Sequence, residues 1–232
     1  MSMHHFWLIR HALVHRDSLV YLYGTDDVPV CTDTMEAQTS HYAALAARLP
    51  RPARLVCTPL SRTQLTADAL MRAGYPATGK LIDPAFIEQN FGDWQGVPIS
   101  EFDARPHEER HPFWPIHAAE TPPGGESFED LIGRVGAGLE GLLETAESKH
   151  TIIVSHGGAI RAACAYAMGL SPHQALCLQI DNVSLTRLSV TERGWRVFSV
   201  NEHSSTTACS PGGAAPPAQK REDKTMKQGV LS

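Results

Sequence analysis

The chain is 232 residues long, 42% hydrophobic and 19% charged, with a formal charge of −5 at pH 7. That length buries a sizeable core and suits one α/β domain followed by a tail. The acidic balance removes the electrostatic footprint of nucleic-acid or anionic-membrane binding, so a small anionic ligand would need a local cationic site.

Five cysteines, Cys31, Cys57, Cys164, Cys177 and Cys209, are odd in number and form no C-x-x-C pair. This argues against a disulfide framework or a structural zinc and fits a reducing cytoplasm. The apolar run at 6–9 is interrupted by Arg10, so no signal peptide is expected, and no apolar run approaches the ~20 residues that span a bilayer.

Large apolar groups at 5–10 predict a buried strand with His11 at its C-terminal end. Over 31–50 the period turns helical: Asp33 is placed to cap, Glu36 follows, and Met35, Tyr42, Leu45 and Leu49 form an apolar stripe ended by Pro50. Residues 53–59 read as a short strand and 60–74 as a helix stopped by Gly74. Residues 80–96 are irregular apart from a short strand near Leu81 and Ile82. With six prolines, Phe102, Phe113 and Trp114, residues 97–126 read as a lid-like excursion from the scaffold.

Ser127 then caps a helix predicted over 127–148, although four glycines lower its propensity. A strand at 150–155, a Gly-Gly turn and another helix follow, and 183–190 with 195–202 predict a β-hairpin. Residues 1–203 make the domain; 204–232, rich in Ser, Thr, Gly, Pro, Ala and Lys, predict a disordered tail. Alternating strands and helices imply an α/β layer architecture with a mainly parallel sheet, which binds ligands beyond the carboxyl ends of its strands.

Three of those strands end in polar groups that a core would waste: Arg10 with His11, Cys57-Thr58 leading to Arg62, and Ser155 with His156. In a parallel sheet these ends share one edge, so two histidines and two arginines face one pocket. Guanidinium forks match the spread charge of a phosphoryl group, and two glycines opening a helix after His156 let backbone N–H groups approach an anion. Taken singly, each feature has a plainer explanation: Arg62 as a solvated helix arginine paired with Asp68 or a neighbour, Glu88 as a loop cap, Trp94 and Trp114 as pocket wall or core. The remaining histidines share no ligand spacing and read as surface residues.

Five blocks in order, "LIRHA", "CTPLSRTQLTA", "FIEQNFGDWQG", "PPGGESFEDLIGRV" and "VSHGGAIRA", resemble the histidine phosphatase superfamily over residues 5–203. The resemblance implies a three-layer, phosphoglycerate mutase-like fold with a mixed sheet between helices. It also implies a phosphohistidine mechanism with no metal or other cofactor. Carried over by residue, His11 is the nucleophile, Arg10, Arg62 and His156 surround the phosphoryl group, and Glu88 is the proton donor. Thr25 and Gly157 are further candidates through hydroxyl or backbone donation. Ala12, Leu13 and Asp17 depart from the family pattern, and Asp17, which cannot donate a hydrogen bond to phosphate, is left out of the site.

The resemblance extends to α-ribazole phosphatases of cobalamin assembly, which implies hydrolysis of a small phosphate monoester. A mutase is the alternative within enzymes, although the 68-residue interval from Glu88 to His156 is short beside the mutases' lid insertion. A phosphate-binding module without catalysis is the alternative outside them, disfavoured because His11 and Glu88 are both present. The sequence sets no oligomeric state.

Overall fold

A computed structural model describes residues 3–106 and 110–204. Six strands form one sheet: β1 (His4–Arg10), β2 (Arg54–Cys57), β3 (Leu81–Ile82), β4 (His150–Ser155), β5 (Leu185–Thr191) and β6 (Gly194–Glu202), in the order β3-β2-β4-β1-β5-β6. β3, β2, β4 and β1 pair in parallel, whereas β5 runs against both β1 and β6. The expected hairpin is β5 with β6.

Strand periodicity sends alternate residues to opposite faces. Phe6 and Leu8 of β1 and Ile153 of β4 join one apolar cluster, with α5 (Phe128–Glu144), α6 (Gly157–Met168) and α7 (Pro172–Leu176). Ile9 of β1 and Ile152 and Val154 of β4 join the other, with α2 (Thr39–Arg48) and α3 (Ser61–Arg72). The result is the expected three-layer α/β fold. A third, smaller cluster of Leu22, Phe91, Phe102 and Ile116 lies under the excursion, which carries the short helix α4 (Ile99–Asp103).

Local chemistry explains the boundaries. Gly74, at φ 99°, ends α3 in a Schellman arrangement in which the N–H groups of Gly74 and Tyr75 return to Met71 and Leu70. Ser127 and Asp130 form a capping box at the start of α5. That helix stops at Glu144, short of the predicted 148.

Two expectations need correction. The helix expected over 31–50 is two helices, α1 (Thr32–Ala37) and α2, meeting at Gln38, and Asp33 sits in the first turn of α1 behind an N-cap at Cys31. The histidines read as surface residues include two buried ones, His4 bonded to Thr151 and His111 bonded to the carbonyl of His173. Ser204, assigned by sequence to the tail, hydrogen-bonds His41; residues 205–232 lie outside the described residues, so the predicted tail does too.

The four glycines of α5 divide by what they face. A Cβ on Gly138 would sit 2.6 Å from the Ala85 Cβ, whereas Gly133 and Gly141 have nothing within 4 Å. Gly138→Ala sets about 1–3 kcal/mol of overpacking against the ~1 kcal/mol gained in helix propensity. Urea denaturation should therefore show Gly138→Ala neutral to destabilised, while Gly133→Ala and Gly141→Ala gain up to about 1 kcal/mol. A gain at Gly138 equal to theirs would refute the packing argument.

Candidate active site

The register of the parallel strands assembles the site. Arg10 at the end of β1 is opposite Ser155 at the end of β4, and Cys57 at the end of β2 is opposite Val154. The three strands therefore hand His11, Thr58 and His156 to one edge. The His11 N–H donates to the Ser155 carbonyl at 2.8 Å, and the two imidazoles lie with centroids 5.1 Å apart. They are 1% and 0% exposed.

Hydrogen bonds fix both tautomers. The Ala12 carbonyl lies 2.7 Å from His11 Nδ1 and can only accept, so Nδ1 carries the proton and Nε2 keeps its lone pair. Arg62 Nε donates to His156 Nδ1 at 3.3 Å, so His156 donates from Nε2 to Thr58 Oγ1 at 3.0 Å. Burial pushes both imidazole pKa values well below the usual histidine range, and the nearby arginines, Arg10 and Arg62, add to it. Both rings are neutral at neutral pH.

Arg62 is fully buried on the first turn of α3, where Nη1 and Nη2 donate to the carbonyls of Asp26 and Gly24 at 2.6 and 2.7 Å. It is no solvated helix arginine: Asp68, its expected partner, pairs with Lys80 instead. Arg10 Nη1 holds the Ile180 carbonyl at 2.6 Å, and its buried Nε has no partner among the described residues, a donor for which a bound oxyanion is the natural acceptor.

Glu88 arrives on the irregular segment after a 3-10 turn at Pro84–Phe86. Its Oε1 accepts from its neighbour Gln89 N at 3.0 Å and its Oε2 from Gly158 N, in the first turn of α6, at 3.1 Å. A Cβ on Gly158 would sit 2.2 Å from Glu88 Oε1, and one on Gly157 would sit 3.4 Å from Arg10 Nε. The paired glycines thus admit the carboxylate on one side and the guanidinium on the other.

Beside these groups is a cavity of about 320 Å³, lined by Arg10, Glu88, Gly157 and Arg161 and walled by Tyr21, Tyr23, Phe113 and Trp114. Trp114 serves both roles left open by the sequence: it lines the cavity and packs on two apolar clusters. Trp94 packs at a tilt against Phe102, outside that lining.

The structure thus brings together Arg10, His11, Arg62, Glu88, His156 and Gly157, but not Thr25. The Thr25 hydroxyl and N–H both donate to Gln95 Oε1, which leaves neither for an anion. Asp17 is exposed and pairs with His15 and Arg16.

Several participants were missed by sequence reasoning. Arg161 lines the cavity with its guanidinium 5.2 Å from the Trp114 ring; burial, then Arg10, brings its pKa down to about 10, which leaves it cationic. Its signal was available, since it lies one helical turn beyond Gly157 and shares its face. Asn182, whose amide donates to the His11 carbonyl at 2.9 Å, gave no comparable signal, and Thr58, noted at its strand end, gave no sign of its bond to His156.

The family model of the histidine phosphatase superfamily (branch 1) matches residues 6–203. The chain belongs to this superfamily. A Yersinia enterocolitica relative named "Probable phosphoglycerate mutase GpmB" is 30% identical over 191 residues, covering 82% of this chain and 86% of that protein. A bifunctional protein of Mycobacterium tuberculosis is 32% identical over 149 residues, 64% of this chain, and the match spans only 40% of that longer protein. Among solved structures, mycobacterial glucosyl-3-phosphoglycerate phosphatase superposes with a TM-score of 0.70 at 23% identity, covering 86% of this chain and 99% of that one. The α-ribazole phosphatase of Shigella flexneri superposes with a TM-score of 0.67 at 21% identity, covering 85% and 96%. The fold is shared with both solved structures.

The neutral histidines of this superfamily member couple its stability to pH. Their folded pKa values lie below the unfolded value of ~6.5, so the unfolded chain binds protons that the folded chain refuses. The associated stability is complete above about pH 6.5 and is lost as pH falls toward the folded pKa values; for His4, held down to about 4 chiefly by burial, the loss runs between those limits. The urea midpoint should fall on acidification from about pH 7.5 to 5.5, and the decline should be shallower in His11→Gln. An unchanged slope in that variant would show that His11 is not held neutral.

Proposed function

We propose that this chain is a phosphomonoester hydrolase in which His11 carries the phosphoryl group as a phosphohistidine. The observation that carries the proposal is the neutral His11 ring, its Nδ1–H committed to Ala12 and its Nε2 unprotonated, set among Arg10, Arg62, His156 and Glu88. A neutral imidazole is a competent nucleophile, and the guanidinium groups supply charge for the equatorial phosphoryl oxygens.

In the first step His11 Nε2 bonds to phosphorus as the bond to the ester oxygen breaks, and protonated Glu88 gives its proton to the departing alcohol. In the second the Glu88 carboxylate takes a proton from water, whose oxygen bonds to phosphorus as the P–N bond breaks. Phosphate leaves and His11 is neutral again. Arg10 binds through its unpartnered Nε, and the neutral His156 ring, its N–H committed to Thr58, packs beside the nucleophile.

Hydrolysis is favoured over mutase chemistry by the cavity itself. Its rim residue Phe113 is 60% exposed, so the alcohol can leave and water can enter. The mutase name of the Yersinia relative supports the second reading, and product analysis on 3-phosphoglycerate separates the two. Aromatic walls suit a flat leaving group, which supports α-ribazole 5′-phosphate, an ester of cobalamin assembly, as a substrate to test. The free cysteines Cys31, Cys57, Cys164 and Cys177 fit action on a small metabolite in the cytoplasm.

His11→Ala should abolish turnover and the acid-labile, base-stable label trapped from labelled substrate. Glu88→Gln should lose about a hundred- to ten-thousand-fold in kcat/KM on an alkyl phosphate and much less on p-nitrophenyl phosphate, whose leaving group needs no proton. Normal turnover in the first variant would end the assignment of the nucleophile. Equal losses on the two esters would end that of the acid.

A further inference from the structure

Glu88 stands in a stretch that makes no regular backbone hydrogen bonds: residues 87–91 lie between two 3-10 turns, Pro84–Phe86 and Gly92–Trp94. Its polar backbone groups need partners from elsewhere. They come mainly from two side chains outside the cavity lining, Arg134 in the second turn of α5 and Glu126 just before its cap.

Arg134 Nη1 donates to the carbonyls of Pro84, Ala85 and Ile87 at 3.3, 3.1 and 3.2 Å. Its Nη2 donates to the Glu88 carbonyl at 3.2 Å and to Glu126 Oε1 at 2.5 Å, while Nε donates to Glu126 Oε2 at 3.1 Å. Glu126 completes the frame. Its Oε1 accepts from Asn90 N at 3.0 Å, its carbonyl accepts from the Gln89 side-chain amide at 2.9 Å, and its N–H donates to the Asn90 carbonyl at 2.9 Å. Every residue from 87 to 90 is thereby tied to this one ion pair.

The peptide between Glu88 and Gln89 makes the connection to chemistry. Its carbonyl is gripped by Arg134, and its N–H donates to Glu88 Oε1. Because the peptide is planar, fixing the carbonyl fixes the direction of the N–H, and with it the carboxyl group. We infer that Arg134 and Glu126 form a positioning clamp that aims the Glu88 carboxyl group at the ester oxygen; the inference rests on Glu88 being the proton donor. Neither residue lines the cavity, so the clamp reaches the site through the 87–90 segment it holds, Glu88 foremost. Lysine cannot replace Arg134, since a single ammonium cannot span a carboxylate fork and four carbonyls.

The test measures kcat/KM of the full chain on an alkyl phosphate and on p-nitrophenyl phosphate for Arg134→Lys and Glu126→Gln. Each variant should lose ~10- to 100-fold on the alkyl ester, as misplacement of a catalytic group does, and less than about threefold on the aryl ester. Adding either substitution to Glu88→Gln should cost nothing further that is specific to the alkyl ester. Glu126→Gln keeps an oxygen acceptor for Asn90 N, so it reads the clamp even if Arg134→Lys fails to fold. An equal loss on both esters, with Glu88→Gln still selective, overturns the clamp alone and makes the ion pair purely structural. An equal loss in Glu88→Gln itself overturns the proton-donor reading, and the clamp falls with it.

Discussion

Two imidazoles share one end of this sheet with three guanidinium groups, and the arrangement holds only while both imidazoles stay neutral. A protonated ring there would stand among Arg10, Arg62 and Arg161 in a poorly solvated site, where like charges repel far more strongly than in water. The hydrogen bonds are consistent with that requirement, since His156 Nδ1 must be bare to accept from Arg62. Its other nitrogen must then carry the proton that goes to Thr58. The same constraint leaves His11 with an unprotonated Nε2, so the electrostatics that make the pocket attractive to an anion also keep the proposed nucleophile ready.

Placement of these groups depends on parallel strands, because only parallel strands bring three C-terminal ends to one edge. β4 lies between β2 and β1, so His156 has Thr58 on one side and His11 on the other. A slip of one residue in the β1–β4 register would send Ile9 and Val154 to the wrong apolar cluster, and the burial of both residues guards against it. The core therefore enforces the catalytic geometry, and stability and function are not separable at this edge.

This logic explains what could be read in the sequence. Arg10, His11 and His156 were legible because a strand ending in a charged or titratable group at a sheet edge has few uses other than a site. The broken helix at Gln38 was not legible, since the apolar stripe of Met35, Tyr42 and Leu45 continues across the break. Thr25 looked suitable by residue type, but its hydroxyl goes to Gln95, seventy residues away. Arg134 carries no local sign of its task either: its partners at 84–88 are some fifty residues distant, and only the packing of α5 against the 3-10 turn brings them together.

The excursion adds a constraint of a different kind. Trp114 faces the cavity, yet its Nε1–H donates to Gln89 Oε1 at 2.9 Å and its ring lies under the Arg161 guanidinium. This wall of the cavity is thus fastened both to the segment that carries Glu88 and to a cation beside Arg10. A substitution at Trp114 disturbs that segment as well as the shape of the cavity. Phe113 and Tyr21, exposed by 60% and 43%, have no hydrogen bond to Gln89 and line the outer part of the same cavity. The outer wall at Phe113 and Tyr21 can therefore be rebuilt without moving the Glu88 carboxyl group, whereas Trp114 is bound into the segment that holds it.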